Sequence, residues 1–120
     1  MATFKIRSAR REDAVVIHRL LLDLAAALGK PEGIRSHVAD IERFGFGERP
    51  RFDAVLAFDG AEAVGLAVYF YEFSTWRGQP GVYVQDLYVA PNARGRGLGR
   101  DLIQAVRQRA AEQGAHYVKL

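Results

Sequence analysis

Tyr83-Val84-Gln85-Asp86-Leu87-Tyr88-Val89 is followed, after Ala90-Pro91-Asn92-Ala93, by Arg94-Gly95-Arg96-Gly97-Leu98-Gly99. The first stretch reads as a buried strand and the second as a glycine loop opening a helix. Three glycines in five positions let the backbone come close to a ligand, and the flanking arginines add positive charge. Amide N–H groups at a helix start lack intrahelical partners and lie at the positive end of the helix dipole. Such a site favours phosphate. Two better-known phosphate loops are excluded by spacing. A dinucleotide fingerprint needs a glycine where Arg100 stands, and no Gly-Lys-Ser/Thr occurs anywhere in the chain.

Outward from this loop the chain alternates between the two periodicities. Upstream, Thr3 to Arg7 reads as a first strand with Phe4 and Ile6 on one face. From Arg11 to Leu28, the residues Ile17, Leu20, Leu21, Leu24 and Leu28 recur at helical spacing, and Gly29 and Pro31 stop the helix. A shorter helix is expected over Ser36 to Phe44, then a loop over Gly45 to Pro50. Asp53 to Phe58 and Ala63 to Phe73 read as strands joined by the Asp59-Gly60 turn. Ser74 to Pro80 is expected as a loop and Gly81 to Val89 as the fourth strand. Leu98, Leu102, Ile103, Val106 and Ala110 form the stripe of the next helix. A fifth strand is expected over Ala115 to Leu120. The order β-α-α-β-β-β-α-β makes an α/β domain with a mixed sheet.

The bulk composition narrows the classes. The chain has 120 residues, 49% of them hydrophobic, enough for a single domain with its own core. It has no cysteine, which excludes disulfides, thiolate chemistry and cysteine-ligated zinc. His18, His37 and His116 are too widely spaced for a metal-ligand pattern, so no metal is expected. The N-terminus does not resemble a signal peptide and no apolar run is long enough for a bilayer, so no membrane partner and a cytoplasmic protein are expected. Net charge is +3, and the only dense arginine group is Arg94, Arg96 and Arg100. That group suits one compact polyphosphate better than a nucleic-acid track, so no nucleic-acid partner is expected.

The fourth strand carries the second signal. On a period of two, Val82, Val84, Asp86 and Tyr88 share one face, and Tyr83, Gln85, Leu87 and Val89 share the other. Gln85 and Asp86 thus place one polar group on each side of an apolar strand. A carboxylate in such a place costs several kcal/mol unless paired, so it marks either a site or a satisfied structural Asp.

The R-x-x-G-x-G pattern of Arg94, Gly97 and Gly99, behind the strand Tyr83 to Val89, resembles the coenzyme A loop of the GCN5-related N-acetyltransferases. Within that family the chain resembles the diamine (spermidine/spermine) branch. The features that carry the likeness are Gly45-Phe46-Gly47-Glu48-Arg49-Pro50, Tyr69-Phe70-Tyr71, Trp76-Arg77-Gly78 and Tyr83 to Val89. The resemblance implies the acyl-CoA N-acyltransferase (GNAT) fold, an α/β fold with a mixed central sheet and flanking helices. It implies acetyl-CoA as co-substrate and a primary amine of a small molecule as acceptor, such as a polyamine, a diamine or an amino-acid-like compound. By the same resemblance the backbone of Leu87, Tyr88 and Val89 meets the pantetheine arm. Arg94, Gly95, Arg96, Gly97, Leu98, Gly99 and Arg100 hold the pyrophosphate.

The chemistry implied is direct attack of the amine on the thioester. Gln85 stands where the branch carries a glutamate that helps deprotonate the amine, and Asp86 matches the branch; both are taken as the catalytic pair. A glutamine accepts a hydrogen bond but takes up no proton at neutral pH. Trp76, Tyr69 and Glu32 are the acceptor contacts. Glu32 stands in for a carboxylate near the end of the first helix, where this chain has Leu28. Family members continue past the fifth strand through another helix and two strands, the helix carrying a tyrosine acid. The given sequence ends at Leu120, so a fold lacking its last helix and two strands is expected. Tyr117 is not the equivalent tyrosine. The open edge of a fifth strand invites pairing, which gives a homodimer as the expected assembly. A non-catalytic acyl-CoA-binding module remains open beside the enzyme reading.

Overall fold

The apolar runs between Asp53 and Val89 form the spine of the protein, which a computed structural model describes over residues 3–120. Strands β2 (Asp53–Asp59), β3 (Glu62–Ser74) and β4 (Gln79–Val89) make an antiparallel meander. Strand β1 (Lys5–Ser8) pairs antiparallel with β2, and β5 (Val118–Lys119) runs parallel to β4, giving the order β1-β2-β3-β4-β5. The parallel pair requires a crossover, which helix α3 (Leu98–Glu112) supplies. Helices α1 (Ala14–Ala27) and α2 (Val38–Phe46) precede β2. This is the mixed α/β sheet with flanking helices that the sequence predicts.

The helices cover opposite faces of the sheet. Val55, Ala57, Val64, Val82 and Val84 pack with Leu98, Leu102 and Val106 of α3. Leu56, Leu66, Val68 and Tyr88 pack with Ile17, Leu20 and Ile41 of α1 and α2. Residues 54–57 of β2 are buried in succession because each face has its own helical layer. Each of these side chains removed from water contributes about 1.5–3 kcal/mol, so both layers hold the sheet firmly.

Several boundaries differ from the sequence reading, each for a packing reason. Helix α1 ends at Ala27, and Leu28 leaves the apolar stripe to stand 66% exposed. Helix α2 continues through Gly45 and Phe46, expected as loop, because Gly45 is buried under the ring of Phe52. Strand β5 is only two residues long. Ahead of it the Tyr117 ring lies directly over Gly81 and its hydroxyl donates to Glu72 Oε2 at 2.7 Å.

One ion pair had no sequence signal. A single 3₁₀ turn, Arg11–Asp13, leads into α1 and buries Asp13. Its carboxylate accepts two bonds from the Arg7 guanidinium, at 2.7 and 3.0 Å, and one from the Arg10 amide at 2.7 Å. The Arg7 hydrogen bonds hold the Asp13 carboxyl below the usual carboxylate range. This clasp fixes β1 to the start of α1. Among the described residues, no helix is long and apolar enough to cross a membrane.

Candidate active site

Strands β3 and β4 keep a regular register from Ser74↔Gln79 to Tyr69↔Val84, then resume at Val68↔Asp86. Gln85 is the extra residue, a β-bulge. The bulge corrects the expectation that Val82, Val84, Asp86 and Tyr88 share one face. Val82 and Val84 pack on the α3 side, whereas Tyr88 packs on the α1–α2 side. Asp86 lies opposite Val68, which also belongs to the α1–α2 side. Gln85 and Asp86 therefore do not point to opposite faces. Both line one cleft between α1, α2 and the end of β4.

That cleft encloses about 380 Å³. Its walls are mainly apolar, with Ile17 and Leu21 from α1 and Phe44 from α2. Its polar groups are Gln85, Asp86, Asp40 and Ser36. Among the described residues no arginine or lysine lines it, and of its two carboxylates only Asp40 has an ionisable neighbour, His37 Nδ1 at 3.6 Å. Burial pushes the Asp86 carboxyl above its ordinary value. Asp40 is anchored by accepting the His37 amide at 2.8 Å. The segment carrying Ser36 is tied to α1 by His18, whose Nε2–H donates to Ser36 O at 2.8 Å. His18 thus has a structural role, tying the Ser36 segment to α1. Asp40 escaped the sequence reading; its only signal was a place in the first turn of a helix whose inward residues are otherwise apolar.

On the other side of the bulge β4 opens. Strand β5 pairs only at Val82↔Val118 and Tyr83↔Lys119, so from Val84 to Val89 the outer edge of β4 has no strand beside it among the described residues. The Ala90 amide turns inward to Val64 O at 2.8 Å. By alternation the amides and carbonyls of Leu87 and Val89 turn to the open edge. Val89 O there accepts the Arg94 Nε at 2.9 Å. Tyr88 buries its side chain, and Leu87 exposes its own.

The edge leads directly to the start of α3. A 3₁₀ turn over Pro91–Ala93 is followed by Gly95 at φ 81° and Gly97 at φ 77°, conformations that a side chain would strain. Gly97 caps α3 without any side-chain bond, and the first intrahelical bond runs from the Asp101 amide to Gly97 O at 3.0 Å. The Leu98, Gly99 and Arg100 amides are left free to bind an anion. Leu98 serves only through its backbone, since its side chain is core. Arg96 is braced by donating to Asn92 O at 3.0 Å and by stacking on Phe4 at 5.2 Å. Free helix-start amides, the neighbouring arginines and the open space at Gly95 fit a pyrophosphate, although Asp101 also stands in the first turn.

The remaining expected contacts do not converge on this cleft. Trp76 is 99% exposed in the β3–β4 turn, roughly 20 Å along the strand from Gln85. Tyr69 is buried but packs on the α3 side, because its partner Val84 precedes the bulge. Glu32 is exposed beyond α1, while Ile34 and Ser36 of the same segment reach the cleft. Among the described residues no group of histidines and carboxylates is arranged to hold a metal ion.

Comparison with known proteins gives a consistent result. The family described as acetyltransferase (GNAT) matches residues 17–120. The mouse thialysine N-epsilon-acetyltransferase is 32% identical over 128 aligned residues, which take in all of this chain and 75% of that protein. The human spermidine/spermine N(1)-acetyltransferase-like protein 1 is 32% identical over 90% of this chain and 16% of its own. Among solved structures, an aminoglycoside acetyltransferase from an uncultured soil metagenomic sample superposes with a TM-score of 0.80 at 25% identity. It covers 98% of this chain and 78% of its own.

Proposed function

The chain belongs to the acetyltransferase (GNAT) family, and we propose that it transfers acetyl from acetyl-CoA to a primary amine of a small diamine, polyamine or amino-acid-like molecule. That it is an acetyltransferase of amines follows from the family and its relatives. The observation that carries the finer reading is the bulge at Gln85. It seats Gln85 and Asp86 together in a cleft lined by no described arginine or lysine, at the strand edge that leads to the free amides of α3.

In this reading the α3 amides with Arg94, Arg96 and Arg100 hold the pyrophosphate of acetyl-CoA. The open edge at Leu87 and Val89 pairs with the pantetheine arm. The bound thioester supplies the acetyl group. An alkylammonium with a pKa of about 10.4 must lose a proton before it can attack. Asp86 attracts the cation and, with its proton affinity raised by burial, accepts that proton directly or through one water. Gln85 accepts an N–H bond from the amine and orients its lone pair. The Leu87 amide, on the open edge, stabilises negative charge developing on the acetyl oxygen. The C–N bond forms as the C–S bond breaks. The second amine proton passes to the departing sulfur, which leaves as the thiol, and Asp86 returns the first proton to solvent. Asp40 supplies a second anionic anchor, which suits an acceptor with two amino groups.

The same reading includes a cytoplasmic homodimer. Its support is the terminal strand β5, whose outer edge has no partner strand among the described residues, and sedimentation velocity tests it. The enzymatic reading is tested by coenzyme A release over a panel of diamines, polyamines and amino acids. Turnover with at least one diamine, lost in Asp86→Asn, supports it. Turnover that is unchanged in Asp86→Asn contradicts it.

A further inference from the structure

A second cavity, of about 430 Å³, lies on the opposite face of the sheet, where the C-terminal end of α3 meets the starts of β2 and the middle of β3. Its polar lining comes from Asp53, Tyr69, Tyr71, Arg109, Glu112, Gln113 and Ser8. The acetyl-transfer reading uses none of them in this place. Asp53 and Tyr69 face each other directly across the β2–β3 register. The Tyr69 ring meets Tyr71 edge-on at 6.2 Å between centroids.

Tyr69 is the telling residue. It is 2% exposed, yet its hydroxyl makes no hydrogen bond with any described residue, and no side-chain polar atom without a partner is sealed from solvent. The hydroxyl therefore opens into the cavity that Tyr69 lines. A phenol whose ring is buried while its hydroxyl opens into a cavity offers one donor and one acceptor to whatever enters there. Arg109, the one cation on the wall, is already committed: Nε donates to Ser8 Oγ at 2.6 Å and Nη1 to Ala105 O at 3.3 Å. Asp53 and Glu112 form no ion pair among the described residues. The wall thus offers two carboxylates, an open phenol hydroxyl, two aromatic rings and the Gln113 amide, against one anchored guanidinium.

We propose that this α3-face cavity is a second ligand site, separate from the acceptor cleft, which binds a small primary alkylammonium ion. The ammonium donates to the Asp53 carboxylate and to the Tyr69 hydroxyl, and its alkyl chain lies against the Tyr71 ring. An aromatic face beside a carboxylate is a setting that favours such cations over neutral polar molecules. Although Asp53 is exposed at the rim, the crowding around its carboxyl pushes its pKa up, as expected of a carboxylate lacking a counter-charge.

The experiment is a titration of the isotope-labelled 120-residue protein with n-propylammonium chloride, followed by amide NMR shifts. The expected result is saturable shifts at Ser8, Asp53, Tyr69 and Glu112. Asp53→Asn should weaken binding about tenfold and Tyr69→Phe severalfold, through loss of charge-assisted bonds. Asp86→Asn should leave these shifts unchanged, and n-propanol should produce none. Tyr69→Phe removes no bond within the protein, so it reports binding even if Asp53→Asn fails to fold. Shifts confined to Ser36, Gln85 and Asp86 would overturn the second site while leaving the acceptor cleft intact. So would wild-type affinity in a folded Tyr69→Phe and Asp53→Asn.

Discussion

The two halves of β4 are one strand put to different uses. From Gln79 to Val84 it is paired with β3 throughout and with β5 at Val82 and Tyr83, and Val82 and Val84 sit in the core. From Gln85 to Val89 it is bulged, paired with β3 on its inner edge and open on its outer edge, with Gln85 and Leu87 exposed and Tyr88 buried. Both halves hydrogen-bond to β3; they differ on the outer edge, which the second half leaves free of any strand among the described residues. A single extra residue makes the change, because a one-residue slip moves every following side chain to the other face. The lesson is that an open strand edge, a reversed face and a free helix start can be arranged in sequence, with the rigid half as support.

The comparison can be broken at either half. The largest expected effect is on the open half: Asp86→Asn should lower kcat by about 10²-fold or more, the scale of general-base catalysis, with little change in melting temperature. Steady-state coenzyme A release checks it. Next comes Gly97→Val. A β-branched residue at φ 77° costs roughly 1–3 kcal/mol, and acetyl-CoA affinity by calorimetry should fall about 10- to 100-fold. At Gly99 φ is ordinary and an added Cβ would only touch Val89 at 4.0 Å, so Gly99→Ala should be milder.

In the paired half the sign reverses. Val82→Ala removes fully buried methyls over α3 and should destabilise by about 2 kcal/mol while leaving the KM for acetyl-CoA near wild type. Chemical denaturation and kinetics on the same sample separate the two outcomes. The smallest effect is remote from β4. Asp13→Asn breaks the clasp to Arg7 and should cost about 1–2 kcal/mol. Because the folded-state pKa of Asp13 is depressed, its contribution is present above its unfolded pKa of about 3.9. It is lost as pH falls through the lower folded value, so the wild-type and variant stability curves should converge in acid.

The order of elements, the glycine loop and the helical stripes were legible because each rests on local periodicity or on backbone chemistry at a few positions. The bulge was not. A period of two carries no mark of an extra residue when Val84, Gln85 and Asp86 are all compatible with a strand, so Asp86 and Tyr69 were each assigned to the wrong neighbours. Gly45 reads as a loop residue until Phe52, seven positions later, covers it. The Arg7–Asp13 pair and the Tyr117–Glu72 bond are tertiary contacts between elements, visible only once the sheet order is known. The succession of strand, glycine loop and helix was therefore readable from sequence, and the placement of Gln85, Asp86 and Tyr69 around the bulge was not.

The central claim is that Gln85 and Asp86 share one cleft, and Gln85→Glu tests it most directly. Wild-type kcat/KM should fall on the acid side as Asp86 protonates, above the usual carboxylate range because burial raises its pKa. A second carboxylate in the same cleft repels the first, so in Gln85→Glu that acid limb should move to higher pH. Asp86→Asn should abolish the limb. If Gln85→Glu leaves the acid limb of the pH profile where the wild type has it, the two side chains do not face one another and the account is contradicted.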